Sequence, residues 1–234
     1  MLSPPDADSV GTMTTAENFL LVLTDSDTGK APIGQMAVEP VFGGAFLFDL
    51  VAAGRLELQG TGRKARLVVT DPTPVPDPLL QAAFERVLSA RRPLTPQSAV
   101  SRLGKKGRER TYDALAAAGA VRPRPEKALG LFPVTRHDVV DVARREALLA
   151  GIRASLLNGQ PADETTGPII GLLSAADLTK AVVDKPDRSL AKARAKVISE
   201  GDWASASVRK AIQAAQSAIT TTIVAATIVT SSSS

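Results

Sequence analysis

The chain contains no cysteine and a single histidine, His137, among its 234 residues. The lack of cysteine excludes disulfides, thiolate metal sites and cysteine nucleophiles. One histidine cannot build a histidine-rich metal site, and we expect neither a metal nor a cofactor. The sequence also lacks the patterns of phosphate-binding loops, dinucleotide-binding turns, zinc-protease helices and nucleophile elbows. These absences predict a protein that is not an enzyme.

Aromatic residues are scarce, at 3%, although 44% of the residues are hydrophobic. A core built mainly from Ala, Leu and Val favours packed helices over a β-sandwich. We therefore predict a mainly α-helical fold, with a single compact domain over residues 14–230 and one or two β-hairpins. Residues 1–13 are expected to form a disordered leader, and residues 231–234 a disordered tail.

Two helix starts can be read from the first third of the chain. The segment Thr14-Thr15-Ala16-Glu17 is typical of a helix N-cap, and an apolar run follows it. Pro40 predicts the start of a second helix, because a proline loses no hydrogen bond in the first turn. Near the carboxyl end, residues 208–230 are apolar enough to raise the question of a membrane span. Polar residues dilute this segment, so a buried central helix is the better interpretation.

Alternating polar and apolar residues predict two β-hairpins, over residues 55–70 and 120–134. The turn of the second hairpin is expected near Pro125-Glu126-Lys127. A long amphipathic helix is predicted to follow it, over residues 138–157. His137 and Asp138 are neighbours in sequence and do not face one another on a helix, so we expect a capping or surface role for them.

Positive charge is concentrated in the middle of the chain. Residues 85–146 hold 14 Lys and Arg against 7 Asp and Glu, whereas the remainder holds 14 against 17. A charge imbalance of this kind attracts the phosphates of nucleic acids or lipids.

The densest basic cluster follows a short helix predicted over residues 96–103. It consists of Arg102, Lys105, Lys106, Arg108 and Arg110, with only Glu109 among them. The cluster lies at the predicted start of a helix over residues 105–118, where the helix dipole disfavours cations. A bound anion would offset that cost, since free backbone N–H groups and cations would both face it. We therefore predict an anion site here, with a plain solvated surface as the alternative.

The second hairpin combines apolar and basic residues. Its apolar residues are Leu129, Leu131 and Phe132, and its cations are Arg122, Arg124, Lys127 and Arg136. This combination suits insertion into an anionic membrane surface, with apolar side chains in the acyl boundary and cations at the head groups. The alternative, which the sequence alone favours, is that the three apolar side chains pack on the core.

A collinear series of motifs resembles the Golgi phosphoprotein 3 family over roughly residues 14–229. The series is ENFLLVL at residues 17–23, a turn at 25–29, GGAFLFDL at 43–50 followed by GRL at 54–56, RER at 108–110, and the apolar hairpin at 129–132. The resemblance implies a mainly helical fold that binds phosphatidylinositol 4-phosphate at the cytosolic face of the Golgi. It also implies protein partners, since eukaryotic members bind the tails of Golgi enzymes and a myosin.

The resemblance also implies a head-group pocket. Two of the family's basic positions correspond to Lys105 and Arg108, with Arg110 adjacent. The family's arginine and tryptophan are replaced by Phe42 and Ile33, so half of the pocket is changed. The Ala-rich, cysteine-free composition is typical of a bacterial, actinobacterial member, for which the corresponding location is the inner face of the plasma membrane.

The sequence thus predicts a cytoplasmic, peripherally membrane-associated protein that binds anionic phospholipid, with a trafficking or adaptor role. Two alternatives remain. The basic helix and hairpin could form a winged-helix element on nucleic acid, although few Asn or Gln residues lie near to read bases, so no nucleic acid is expected. The other alternative is a protein-interaction scaffold. The sequence leaves the oligomeric state open.

Overall fold

The computed structural model describes residues 13–128, 131–200 and 204–231. Its helices are α1 (Thr15–Leu23), α2 (Gln35–Ala52), α3 (Pro78–Leu88), α4 (Pro96–Gly104), α5 (Gly107–Ala117), α6 (Val142–Asn158), α7 (Thr166–Ala175), α8 (Arg188–Ile198) and α9 (Ala206–Ser231). Strands β1 (Leu56–Gln59) and β2 (Arg66–Val69) form one antiparallel hairpin, and β3 (Val121–Ala128) and β4 (Phe132–Val139) form another. The prediction of a mainly helical domain with hairpins is confirmed.

Helix α1 begins where its cap was predicted. The Thr14 hydroxyl accepts the backbone N–H of Glu17 (3.2 Å), and the Glu17 carboxylate accepts that of Thr14 (2.8 Å). Asp49 of α2 also holds this end, since its carboxylate accepts the backbone N–H (2.9 Å) and the hydroxyl (2.5 Å) of Thr15. The orphan donors at the start of α1 are thereby satisfied from two elements.

Helix α2 is the centre of the core, and its start was predicted wrongly. It begins at Gln35, so Pro40 lies inside it. Pro40 removes the helical hydrogen bond to the carbonyl of Met36. Pro40 is tolerated there because it lies in the second turn of α2, near a start at which Met36 is 48% exposed.

Two glycines let α2 approach its neighbours. A Cβ at Gly43 would lie 1.8 Å from the backbone oxygen of Val100 in α4. A Cβ at Gly44 would lie 2.8 Å from the side chain of Ile219 in α9. Helix α2 therefore meets α4 at a distance that only glycine allows, whereas at α9 the Ile219 side chain would have to shift to admit a larger residue.

Helix α9 packs on α2, and among the α9 side chains that the structure describes the buried ones lie between Ala211 and Ile219. Its buried residues are Ala211, Ile212, Ala215, Ala218 and Ile219. Val224, farther along, is 52% exposed. Within the described ranges, the one helix long and apolar enough to cross a membrane is α2, and 72% of that stretch is buried in the fold.

The second hairpin is longer than predicted, and its predicted turn is wrong. Pro125, Glu126 and Lys127 lie within β3, and Ala128 pairs with Phe132. Strand β4 continues to Val139, so the following helix begins only at Val142, where the Asp141 side chain caps it.

Prolines are tolerated in this hairpin because of the register. Pro123 pairs with His137, and His137 donates its backbone N–H to Gly29 (3.2 Å), away from β3. The pair is therefore a non-hydrogen-bonded one, in which both N–H positions face outward. Pro125 and Pro133 lie at positions of the same parity, so none of the three prolines removes a bond between the strands.

The predicted leader and tail lie almost wholly outside the described residues. Met13, the first residue described, is half-buried, and its carbonyl accepts the Asn18 side-chain amide (3.2 Å). At the other end, Ser231 is the last residue of α9.

Candidate functional site

The tight turn between α4 and α5 places two lysines at the surface. A Cβ at Gly104 would lie 1.7 Å from the backbone oxygen of Glu39, and one at Gly107 would lie 2.4 Å from Cβ of Phe42. The turn is thus pressed against α2 at both ends. Lys105 and Lys106, between these glycines, are exposed, and Lys106 has a left-handed backbone with φ of +55°. Neither lysine forms an ion pair with any residue that the structure describes.

Arg110 faces the fold rather than the solvent. Its guanidinium donates to the carbonyls of Leu103 (3.2 Å) and Lys105 (3.1 Å) and lies 5.7 Å from the centre of the Phe46 ring. Burial lowers the pKa of Arg110, and Arg86 lowers it further. The carbonyls that Arg110 binds belong to the carboxyl end of α4, where the helix dipole favours cations.

Arg102 and Arg86 connect the carboxyl ends of α3 and α4. Arg102 donates to the hydroxyl of Ser89 (3.0 Å), and Arg86 donates to the carbonyl of Lys105 (3.0 Å). The expectation that the five cations form one cluster at the start of α5 is therefore wrong. Arg102 stabilises the end of α3 and Arg110 that of α4, whereas Lys105, Lys106 and Arg108 remain for a ligand.

Phe42 and Ile33 lie in the hydrophobic core. Phe42 is fully buried and packs edge-on against Phe19, with ring centres 6.2 Å apart. Ile33 is 7% exposed. Neither side chain offers a surface to a head group, so the structure does not bring these two positions together with Lys105 and Arg108 at one accessible site.

Arg108 lines a cleft of about 580 Å³ on the other side of α5. The walls of this cleft are α5, the loop before α2 and the base of the β3–β4 hairpin. It is lined by Gly29, Lys30, Ala31, Arg108, Glu109, Tyr112, Asp113, Pro123, Val134, Thr135, Arg136 and His137. Arg108 thus lies beside the hairpin, as the predicted site requires. A ligand that contacts Arg108 would lie in this cleft and not in a pocket at Phe42.

A stacked ring pair forms the floor of this cleft, and it was not predicted. The rings of Tyr112 and His137 are parallel within 4°, with centres 3.5 Å apart. The Tyr112 hydroxyl lies 3.0 Å from that of Thr24. Burial lowers the pKa of His137, Asp113 opposes that shift, and Arg108 adds to it. Sequence carried no signal for the pair, because the two rings come from a helix and a strand 25 positions apart.

The tip of the β3–β4 hairpin exposes two large apolar side chains. Leu131 is 79% exposed and Phe132 is 63% exposed. The interpretation that these side chains pack on the core is wrong, because the long strands carry the tip beyond the helices. Leu129, the third predicted residue, lies outside the described residues.

Salt bridges neutralise half of the hairpin's predicted cations. Arg124 pairs with Asp138 (3.0 Å), and Arg136 pairs with Glu126 (3.0 Å). Arg122 and Lys127 are exposed and form no ion pair with the described part of the chain. These two, with Lys105 and Lys106, are exposed cations of the hairpin and of the α4–α5 turn that remain available to an anionic partner.

The described residues contain no group of three or more His, Asp or Glu side chains that could hold a metal ion.

Comparison of the chain with known protein families identifies the family to which it belongs. The model of the family described as Golgi phosphoprotein 3 (GPP34) matches residues 16–215. A search of curated proteins finds no match. The matched family is associated with the cytosolic surface of the Golgi and is not known as a family of enzymes. Since the match runs from Ala16 in α1 to Ala215 in α9 and so covers most of the chain, the chain belongs to the Golgi phosphoprotein 3 family.

Proposed function

We propose that this protein is a non-catalytic, peripheral membrane protein that binds anionic phospholipid through the tip of the β3–β4 hairpin and the cations around it. The observation that carries the proposal is the exposure of Leu131 and Phe132. Large apolar side chains on a protruding tip are stabilised by entry into a membrane interface, at about 1.5–3 kcal/mol for each side chain that becomes fully buried.

Exposed basic side chains of the hairpin and of the α4–α5 turn would add electrostatic attraction to this binding. Arg122 and Lys127 are on the hairpin itself, and Lys105 and Lys106 are on the α4–α5 turn. Each exposed cation near an anionic bilayer contributes about 1 kcal/mol, and this attraction falls as salt is added. Apolar insertion and charge together provide the two signals that stable peripheral binding needs.

The lipid implied by the family resemblance is phosphatidylinositol 4-phosphate. With Phe42 and Ile33 in the core, only Lys105 and Arg108 remain of the corresponding pocket. We therefore propose that the protein responds mainly to the negative charge of the membrane. Its selectivity for phosphatidylinositol 4-phosphate over other anionic lipids at matched charge should be weak. The membrane is the cytosolic face of the Golgi or, in a bacterium, the inner face of the plasma membrane, and an adaptor role would follow from protein partners bound there.

Co-sedimentation with vesicles tests the proposal. Vesicles of phosphatidylcholine alone are compared with vesicles containing phosphatidylserine or phosphatidylinositol 4-phosphate at equal charge. The wild type should bind both anionic vesicles and leave neutral ones largely unbound. The variant Leu131→Ser with Phe132→Ser should lose at least about tenfold in binding, from the apolar burial it forgoes. The variant Lys105→Glu with Lys106→Glu should lose the preference for anionic vesicles.

Matched controls come from α8, which lies elsewhere in the chain. Leu190 and Val197 are exposed apolar residues of α8, and Lys185 and Lys196 are exposed lysines beside or within it. The variant Leu190→Ser with Val197→Ser should bind vesicles as the wild type does. So should the variant Lys185→Glu with Lys196→Glu. Equal binding of the wild type to neutral vesicles, or undiminished binding of the tip variant, would refute the proposal.

Nucleic acid is a weaker candidate. Helix α5 precedes the hairpin in the order of a winged-helix element, but the exposed side of α5 carries Glu109 and Asp113. These carboxylates would repel phosphates of a duplex. We expect no gel shift with duplex DNA at physiological salt.

A further inference from the structure

The cleft beside α5 presents charges of both signs that the fold leaves unpaired. Its cations include Lys30 and Arg108, and its carboxylates are Glu109 and Asp113. None of these four forms an ion pair with the residues the structure describes, whereas Arg136, on the same wall, is neutralised by Glu126. Opposite charges thus surround one cavity without meeting each other.

This pattern selects a class of ligand. A purely anionic ligand would be repelled by Glu109 and Asp113, and a purely cationic one by Arg108 and Lys30. A zwitterion that carries a phosphate and an ammonium group matches both sets. Carboxylates bind a primary ammonium better than a quaternary one, because only the primary group donates hydrogen bonds.

The position of the cleft points to a lipid as the source of that zwitterion. Strand β4 rises about 3.3 Å per residue, so Val134 and Thr135 lie about 7 and 10 Å along the strand from Phe132. The head-group layer of a bilayer is about 5–8 Å thick on each side of the hydrocarbon. With Phe132 at the acyl boundary and β4 along the membrane normal, Val134 lies within the head-group layer and Thr135 just beyond it, so one rim of the cleft reaches the head groups.

We propose that this cleft binds the phosphoethanolamine head group of a zwitterionic phospholipid. The ammonium lies at Asp113 and Glu109, and the phosphate at Arg108 and Lys30. The role in membrane binding rests on the proposed function, in which the hairpin tip enters the bilayer. Recognition of the head group by the cleft is a separate property and can be measured without a membrane.

The membrane arm uses vesicles with a fixed share of phosphatidylserine, in which phosphatidylcholine is replaced stepwise by phosphatidylethanolamine. Wild-type binding should rise about threefold to tenfold, the range of one or two charge-assisted contacts. Phosphatidylethanolamine also loosens lipid packing, which favours insertion of any apolar tip. The variant Asp113→Asn separates the two effects, because it keeps the tip and loses the ammonium partner.

The control for this arm is Asp184→Asn, at an exposed aspartate outside the cleft. Asp113→Asn should keep only the smaller rise that looser packing causes, and Asp184→Asn should show the full rise of the wild type. An equal rise in Asp113→Asn and the wild type would overturn the proposal, since packing alone would then explain it.

The second arm uses free glycerophosphoethanolamine and the NMR signals of the cleft floor. His137 is the only histidine of the chain and Tyr112 the only tyrosine, so their ring signals report on the cleft alone. Glycerophosphoethanolamine at millimolar concentration should shift both signals in the wild type, and glycerophosphocholine should shift them much less. Unchanged ring signals, or equal shifts with the choline compound, would overturn the proposal. If the wild type binds no vesicle but these shifts occur, the membrane function fails and the head-group site stands.

Discussion

The contact between α2 and α4 differs from the β3–β4 hairpin in how closely its residues are packed. In the first, backbones meet with no room for a methyl group, and every large side chain of the middle of α2 is buried. In the second, two strands project from the fold, and their tip leaves Leu131 and Phe132 in water. The comparison indicates that stability resides in the helices, while the hairpin carries apolar surface that the fold itself does not use.

The largest expected effect comes from filling the helix contact. Gly43→Ala places a methyl group 1.8 Å from the backbone oxygen of Val100, so α2 and α4 must separate. We expect a loss of about 3 kcal/mol or more in the free energy of unfolding, measured by urea denaturation. The matched control is Gly34→Ala, where no atom lies within 4 Å and the change should stay within about 0.5 kcal/mol. Similar stability of the two variants would contradict the close contact.

A smaller, pH-dependent effect is expected at Asp49, which joins α1 to α2. Burial raises the pKa of Asp49 to about 7, against the hydrogen bonds from Thr15 and with a further contribution from Asp77 and Glu17. The unfolded chain has a pKa near 3.9, so the folded state holds a proton that the unfolded state has released. The contribution of Asp49 to the free energy of unfolding should therefore be most favourable below about pH 4 and fall between pH 4 and pH 7. Above pH 7 it should not change further.

Asp49→Asn removes that titration. Because Asp49 contributes a negative slope of unfolding free energy against pH in this window, the slope should become more positive in the variant, by up to about 1.4 kcal/mol per pH unit, the value for one proton. Urea titrations at several pH values measure it. An unchanged slope would show that the carboxyl group titrates normally.

The smallest effect on stability is expected at the hairpin tip. Leu131→Ser with Phe132→Ser should change the free energy of unfolding by less than about 0.5 kcal/mol, because exposed side chains lose little contact. The same variant is expected to lose membrane binding, so one protein separates the two properties. A large loss of stability would show that the tip is covered in solution, and the contrast with the helix contact would disappear.

Local signals in the sequence predicted the elements they control. The cap at Thr14, the first hairpin and the short helix ending near Leu103 were correct, since each depends on residues close in the chain. The predicted helix start at Pro40 and the predicted turn at residues 125–127 were wrong, because proline was taken to mark the boundary of an element. In the structure, Pro40 lies near the exposed start of α2, and the prolines of the hairpin lie at strand positions whose N–H groups would face outward.

The site was predicted less well, since its parts depend on tertiary contacts. Arg110 was placed in the anion site from its spacing, but the fold directs it to carbonyls of α4. Sequence could not show this, because those carbonyls become accessible only through the tight turn at Lys106. The burial of Phe42 follows likewise from its approach to Gly107 in α5.

The outward-facing prolines of the hairpin have a consequence for the protein before it meets a partner. Two free strand edges beside apolar side chains would invite a second copy to add strands and begin aggregation. Pro123 and Pro125 lack two N–H groups that would face outward from β3, and Pro133 lacks one in β4. The outward N–H of His137 already donates to the carbonyl of Gly29. The hairpin therefore keeps few outward donors to which a second copy could pair, which disfavours strand addition beside the exposed tip.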